Sequence, residues 1–233
     1  MFASQKVIPS HYGPVGRRHF LQKRFFCYYK FVQTTKIATD IGKKDNANGI
    51  CSLLSPEGQH RVAKVLKQLS DELGDDIWCM PPASLHITLC EITQAKPYPE
   101  DKEVLFQHNQ SQYKRALDAA LSGVKPIDVV FDRLEVSPDA IIIRSNDDNA
   151  LHAIRSQLVD LLPLPAETKQ PPAIVHSSIA RFTKELGLDM IEPIVAKLHI
   201  SFTETIAEFQ LIHNGSPHML NYQIASRHPL VEK

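Results

Sequence analysis

The chain has 233 residues, 43% of them hydrophobic, and carries 26 Lys and Arg against 26 Asp and Glu. That length supports one large domain or two small lobes, and no run approaches the roughly 18 apolar residues of a membrane helix. The even balance hides a split. The first 39 residues hold seven basic and no acidic side chains, and the remaining 194 hold 19 basic and 26 acidic, so the main body is a poor general platform for long nucleic acid. It still leaves room for a local anion site.

Residues 1–45 read as a basic N-terminal extension. Within it, "RRHFLQKRFFCYYKFV" (17–32) interleaves basic and aromatic side chains. Three readings fit: an added segment packed on the domain, an organelle transit peptide, or an arm that contacts RNA. The main domain is expected at 46–233. A short strand (49–54) leads into a helix over 55–74, with Ser55 as its cap, Pro56 in the first turn and Gly74 as its stop. Strands follow at "IWCM" and "SLHITLCEI". Residues 94–112 read as a long polar connection that shapes a site. A helix is expected over 112–123, two strands over 126–146 joined at Ser137-Pro138-Asp139, and a helix over 150–162. Then come a strand (173–182), a helix (188–198), and strands over 203–213 and 219–226. The order predicts an α+β fold: two pseudo-symmetric lobes of antiparallel sheet, helices on the outer faces, and a central cleft.

Four cysteines, Cys27, Cys51, Cys79 and Cys90, include no CxxC pair, match no zinc module, and read as reduced thiols. His213, His218 and His228 match no metal site by spacing. "SNDDN" (145–149) reads as a solvated turn rather than a calcium loop, and Trp78 as a core residue.

One nine-residue phrase occurs twice, as "PPASLHITL" (81–89) and "PPAIVHSSI" (171–179). On a strand, alternate side chains share a face. His86 and Thr88 therefore point one way, and Leu85, Ile87 and Leu89 the other. His176 and Ser178 share a face in the same manner, with Ser177 as a polar residue on the packed side. Two such strands related by an approximate two-fold axis would bring two imidazoles and two hydroxyls to one cleft. Histidine titrates near neutrality, so one ring can accept a proton while the other donates one. The hydroxyls can hold phosphate oxygens, and this scheme uses no metal or other cofactor.

The paired H-x-[ST]-apolar motifs, "HITL" and "HSSI", resemble those of the 2H phosphoesterase superfamily, which includes 2′-5′ RNA ligase-like proteins and cyclic nucleotide phosphodiesterases. The resemblance covers roughly residues 49–228. It implies His86 and His176 as acid and base, and Thr88 and Ser178 as phosphate ligands. Arg181, in "HSSIAR", matches a feature of the RNA-ligase-like branch as a phosphate or nucleotide contact, and is otherwise a surface charge near the strand end. Tyr222 is placed either to stack on a base or to pack in the core or rim. The implied activity is metal-independent hydrolysis of a 2′,3′-cyclic phosphate or a 2′-5′ linkage in a nucleotide or RNA terminus. RNA end-joining, or a non-catalytic nucleotide- or RNA-binding module, are the alternatives. The expected protein is a monomer, intracellular and cytoplasmic, with no membrane partner; organelle targeting by the N-terminus is the competing placement.

Overall fold

The computed structural model describes residues 34–43, 47–94, 98 and 100–231, and the stretch 17–32 lies outside them. The first helix, α1 (Pro56–Leu73), starts where its cap predicts. The Ser55 hydroxyl accepts from the Gly58 N–H at 3.1 Å, and Gly74 ends the helix at φ 52°, a left-handed conformation that favours glycine. Its buried stripe is Val62, Val65, Leu66 and Leu69.

The second helix, α2 (Lys102–Leu121), begins well before the expected 112. The Asp101 carboxylate accepts from the Glu103 and Val104 N–H groups at 2.8 and 3.1 Å. Between the buried Phe106 and Tyr113 the helix carries mostly polar residues, so its apolar rhythm is legible only from 113 onward. The long connection is thereby cut to a short segment ahead of Asp101. Helices α3 (His152–Leu161) and α4 (Leu188–Val195) fall inside their expected ranges. Among the described residues no helix is long and apolar enough to cross a membrane.

Nine strands form among the described residues: β1 (Ala47–Leu53), β2 (Ile77–Cys79), β3 (His86–Thr93), β4 (Ile127–Val136), β5 (Ile141–Ser145), β6 (His176–Phe182), β7 (Phe202–Ile206), β8 (Glu208–Gly215) and β9 (Gln223–Pro229). They make two sheets, ordered β3-β1-β8-β9 and β2-β6-β5-β4-β7. All their pairings are antiparallel. The lobes are not successive halves of the chain. The segment expected as one strand over 203–213 breaks at Ala207: β7 joins β4 in the second sheet and β8 returns to β1 in the first. The chain also changes sheets between β2 and β3, directly before His86. There Cys79 pairs with Ala180 of β6, and the Met80 N–H donates to the Ile179 carbonyl. Pro82–Ser84 then make a 3-10 turn into β3. The first Pro-Pro-Ala thus sits at a crossing between the two sheets.

Fully buried Phe106, Tyr113, Phe131, Phe182 and Phe209 anchor the core, with Ile87, Leu89, Val175 and Ile179 from the repeated phrase among its members. Each large apolar side chain removed from water contributes roughly 1.5–3 kcal/mol. Residues 34–43 lie along the second sheet. Thr35 is buried and its hydroxyl donates to the Lys184 carbonyl at 3.1 Å, while the Ala38 N–H donates to the Phe182 carbonyl.

Candidate active site

Strict alternation would put Arg181 on the face opposite His176, because five is odd. A β-bulge reverses this. On β6, Ser178 faces Ile142 and Ala180 faces Ile141, with Ile179 skipped. On β3, Thr88 faces Cys51 and Cys90 faces Ile50, with Leu89 skipped. Both bulges fall at the same place in the repeated phrase. A bulge adds one residue and re-aims the side chains beyond it. Burial records the slip: each strand runs partly buried at the histidine, buried, partly buried at Thr88 or Ser178, then twice buried, then partly buried again at Glu91 or Arg181. The fifth residue past each histidine returns to the histidine's side.

Contacts agree with this placement. Arg181 Nη2 donates to Ser178 Oγ at 3.3 Å, and Nη1 to the Asp139 carbonyl at 3.2 Å. Its Nε is buried without a partner. Burial lowers the guanidinium pKa, opposed by Asp139 and Asp40. A desolvated cation whose hydrogen bonds among the described residues go to neutral oxygens attracts an anion.

His86 Nδ1 lies 2.7 Å from the Ser84 carbonyl. A carbonyl only accepts, so Nδ1 carries a proton and Nε2 is left for chemistry. Burial lowers the His86 pKa; the Ser84 carbonyl and Glu91 pull it up, and Arg181 and His218 push it down. Burial pushes His176 down to about 4, with Arg155, His86 and Arg181 adding to the fall and the Ile174 carbonyl opposing it. That carbonyl is not in hydrogen-bonding geometry, and His176 Nδ1 is buried without a partner among the described residues. His86 bears on His176, and Arg181 acts on both rings, so the two imidazoles share one electrostatic neighbourhood.

The two motif strands pack against each other and Arg181 bonds Ser178, which brings His86, His176, Ser178 and Arg181 into one region. Thr88 is partly buried on β3, two residues past His86, and Tyr222 stands at the rim near the first motif, its hydroxyl donating to the Ala83 carbonyl at 3.4 Å. Ser177 is buried with its hydroxyl unpartnered, so the packed-face serine has no hydrogen-bonding compensation.

Two residues near the site escaped the sequence reading. His218 is partly buried in the β8–β9 connection, with φ 61° followed by Met219 at φ 56°, and consecutive left-handed non-glycine residues store strain. Its Nε2 lies 3.0 Å from Asp40 Oδ1, its ring packs 5.6 Å from Trp78, and a charge on it bears on His86. Arg155 had a signal in the sequence: it falls on the buried stripe of α3 beside Ile154 and Leu158, where an apolar residue is the rule. The C-terminal histidines do not gather. His213 meets Glu103 and stacks on Phe106, whereas His228 meets Asp118 and Ser226. Cys51, Cys79 and Cys90 are free thiols.

A family model described as the 2′-5′ RNA ligase superfamily matches residues 56–217. No curated protein sequence matches the chain. Among solved structures it is similar to TT0787 of Thermus thermophilus, at 14% identity over 80% of this chain and 99% of that one, with a TM-score of 0.53. A structure described as a phosphoesterase matches at 12% identity over 80% and 99%, TM-score 0.52. E. coli LigT complexed with 3′-AMP matches at 11% identity over 82% and 100%, TM-score 0.51. At these identities the likeness is one of fold.

Proposed function

The chain belongs to the 2′-5′ RNA ligase superfamily, and from that premise we propose that it hydrolyses a phosphodiester with His86 and His176 as paired acid and base. The observation that carries this reading is the convergence of two imidazoles with Ser178 and a guanidinium that hydrogen-bonds only neutral oxygens among the described residues. In the proposed step the phosphate lies against Arg181, Ser178 and Thr88. A water oxygen attacks phosphorus while His176, neutral in its buried setting, takes the proton. The bond from phosphorus to the departing ester oxygen breaks, and His86 Nε2–H protonates that oxygen. His86 keeps its Nδ1–H on the Ser84 carbonyl throughout. The phosphate's negative charge favours the imidazolium this role requires. Each acid or base role is worth roughly 10²–10⁴-fold in rate.

The substrate class we infer is a 2′,3′-cyclic phosphate or a 2′-5′ linkage on a nucleotide or RNA terminus. E. coli LigT, which shares the fold, was solved with 3′-AMP, and a ligand of that kind supports the inference. The test is turnover of the four nucleoside 2′,3′-cyclic monophosphates and a 2′-5′-linked dinucleotide, with EDTA present. Turnover that persists in EDTA and collapses in both His86→Ala and His176→Ala supports the reading. Loss of turnover to EDTA, or full activity in either mutant, defeats it.

A further inference from the structure

Arg155 is 4% exposed, and no carboxylate among the described residues pairs with it. Its two terminal nitrogens reach the two motif segments, one on β3 and the other just ahead of β6. Nη2 donates to the Thr88 carbonyl at 2.7 Å, and Nη1 to the Ile174 carbonyl at 3.1 Å. Thr88 follows His86 by two residues and Ile174 precedes His176 by two. β3 is an edge strand, and the outward carbonyls of an edge need partners from elsewhere. Thr168 serves the Ile92 carbonyl in the same way, at 2.6 Å. The guanidinium is planar and always charged, and its donors form a rigid fork, so the two carbonyls it grips are held at one separation.

We propose that Arg155 is a positioning residue: a buried strut from α3 that sets the spacing of the two histidine-bearing strands without touching substrate. The proposal rests on the phosphodiesterase reading above. A buried cation without a carboxylate is costly, and exchange for an apolar side chain is often neutral or stabilising for a fold. Stability alone gives no reason for an arginine here; geometry between the two motifs does. The charged and titratable groups facing His176 are Arg155 from α3, His86 from β3 and Arg181 on β6, with Arg144 in register opposite it on β5. Those bearing on Arg155 are Cys90 and Asp148.

The test compares Arg155→Lys, which keeps the charge and loses the fork, with Arg155→Met, which loses both. A displacement of about 1 Å can cost about 10²-fold. Both variants are expected to lose about 10- to 100-fold in kcat, with KM for the best cyclic nucleotide within about threefold of wild type. The acidic limb of the pH–rate profile should rise in Arg155→Met, where His176 loses a neighbouring cation, and stay in place in Arg155→Lys. Wild-type kcat in Arg155→Lys overturns the strut, and so does a KM effect at constant kcat. If Arg155→Met does not fold, Arg155→Lys decides on the same criteria. If wild type turns over nothing, the phosphodiesterase reading fails, and the ¹H–¹⁵N spectrum of Arg155→Lys tests the strut separately. Shifts at the backbone amides of both 86–90 and 174–178 support it; shifts on one strand alone overturn it.

Discussion

The strands β3 and β6 are written with one phrase, bulge at one place and bury the same positions, yet they surround their histidines differently. β3 is the edge of its sheet, whereas β6 lies inside the other. Opposite His86 in register stands Leu53; opposite His176 stands Arg144. At the re-aimed fifth position one strand carries Glu91 and the other Arg181. The near-symmetric backbone delivers two like groups, and the unlike charges beside them tell them apart. Arg181 disfavours the imidazolium of both rings; Glu91 opposes it at His86, whereas Arg155 adds to it at His176. In the proposed mechanism this difference sets His86 as the acid and His176 as the base.

The histidines themselves should give the largest effect. His86→Ala and His176→Ala are each expected to lower kcat by about 10²–10⁴-fold on a cyclic nucleotide. If one of them leaves the rate within tenfold of wild type, the strands do not share the work and the comparison fails.

The charge pair comes next. Since both imidazole pKa values lie below the usual histidine value, the bell of kcat/KM for free enzyme should peak on the acid side of neutrality, with His176 giving the acidic limb near pH 4 and His86 the alkaline one. Glu91→Gln removes the charge that helps His86 hold its proton, so the alkaline limb should move to lower pH. Arg181→Gln relieves both rings and should move both limbs to higher pH, with about a tenfold or larger loss of rate from the missing phosphate ligand. If Glu91→Gln moves the acidic limb to lower pH and leaves the alkaline one in place, the two assignments are exchanged.

Stability should distinguish the strands as well. His176 has its folded pKa below its unfolded one, so the unfolded chain binds more protons between these values. Stability contributed by the neutral ring is therefore present above about pH 6.5 and is lost as pH falls toward about 4, by up to about 3 kcal/mol. Urea unfolding across pH 4–7 should show a shallower slope for His176→Ala than for wild type. An unchanged slope would mean that the ring is not held neutral.

The smallest effect falls on neighbouring serines of one strand. Ser177→Ala removes an unpartnered buried hydroxyl and should stabilise the protein by about 1 kcal/mol, raising Tm by about 2–4 °C with the rate unchanged. Ser178→Ala should leave Tm alone and lower kcat. If the two outcomes are exchanged, the face assignment along β6 is wrong.

Much of this was legible because it is local. Helix caps such as Ser55 and Gly74 act within a few residues, and alternation around His86 and His176 follows from backbone geometry alone. The start of α2 was hidden because the helix between Phe106 and Tyr113 is mostly polar and has no apolar rhythm to read. The division of 203–213 at Ala207 was hidden because both parts alternate as strands and only their partners differ. Nor does sequence record the distant partner of a side chain such as Asp40, which meets His218 across the fold.

Residues one or two positions apart are enough to establish that two matching histidine strands exist, which of their faces packs inward, and that Ser or Thr stands beside each ring. It took the folded chain to make the lobes exchange strands, to turn Glu91 and Arg181 toward the histidines through paired bulges, and to span Thr88 and Ile174 with Arg155. Each of these depends on register between strands or on carbonyls that meet a side chain 67 residues away, and no local rule of propensity or period carries that information.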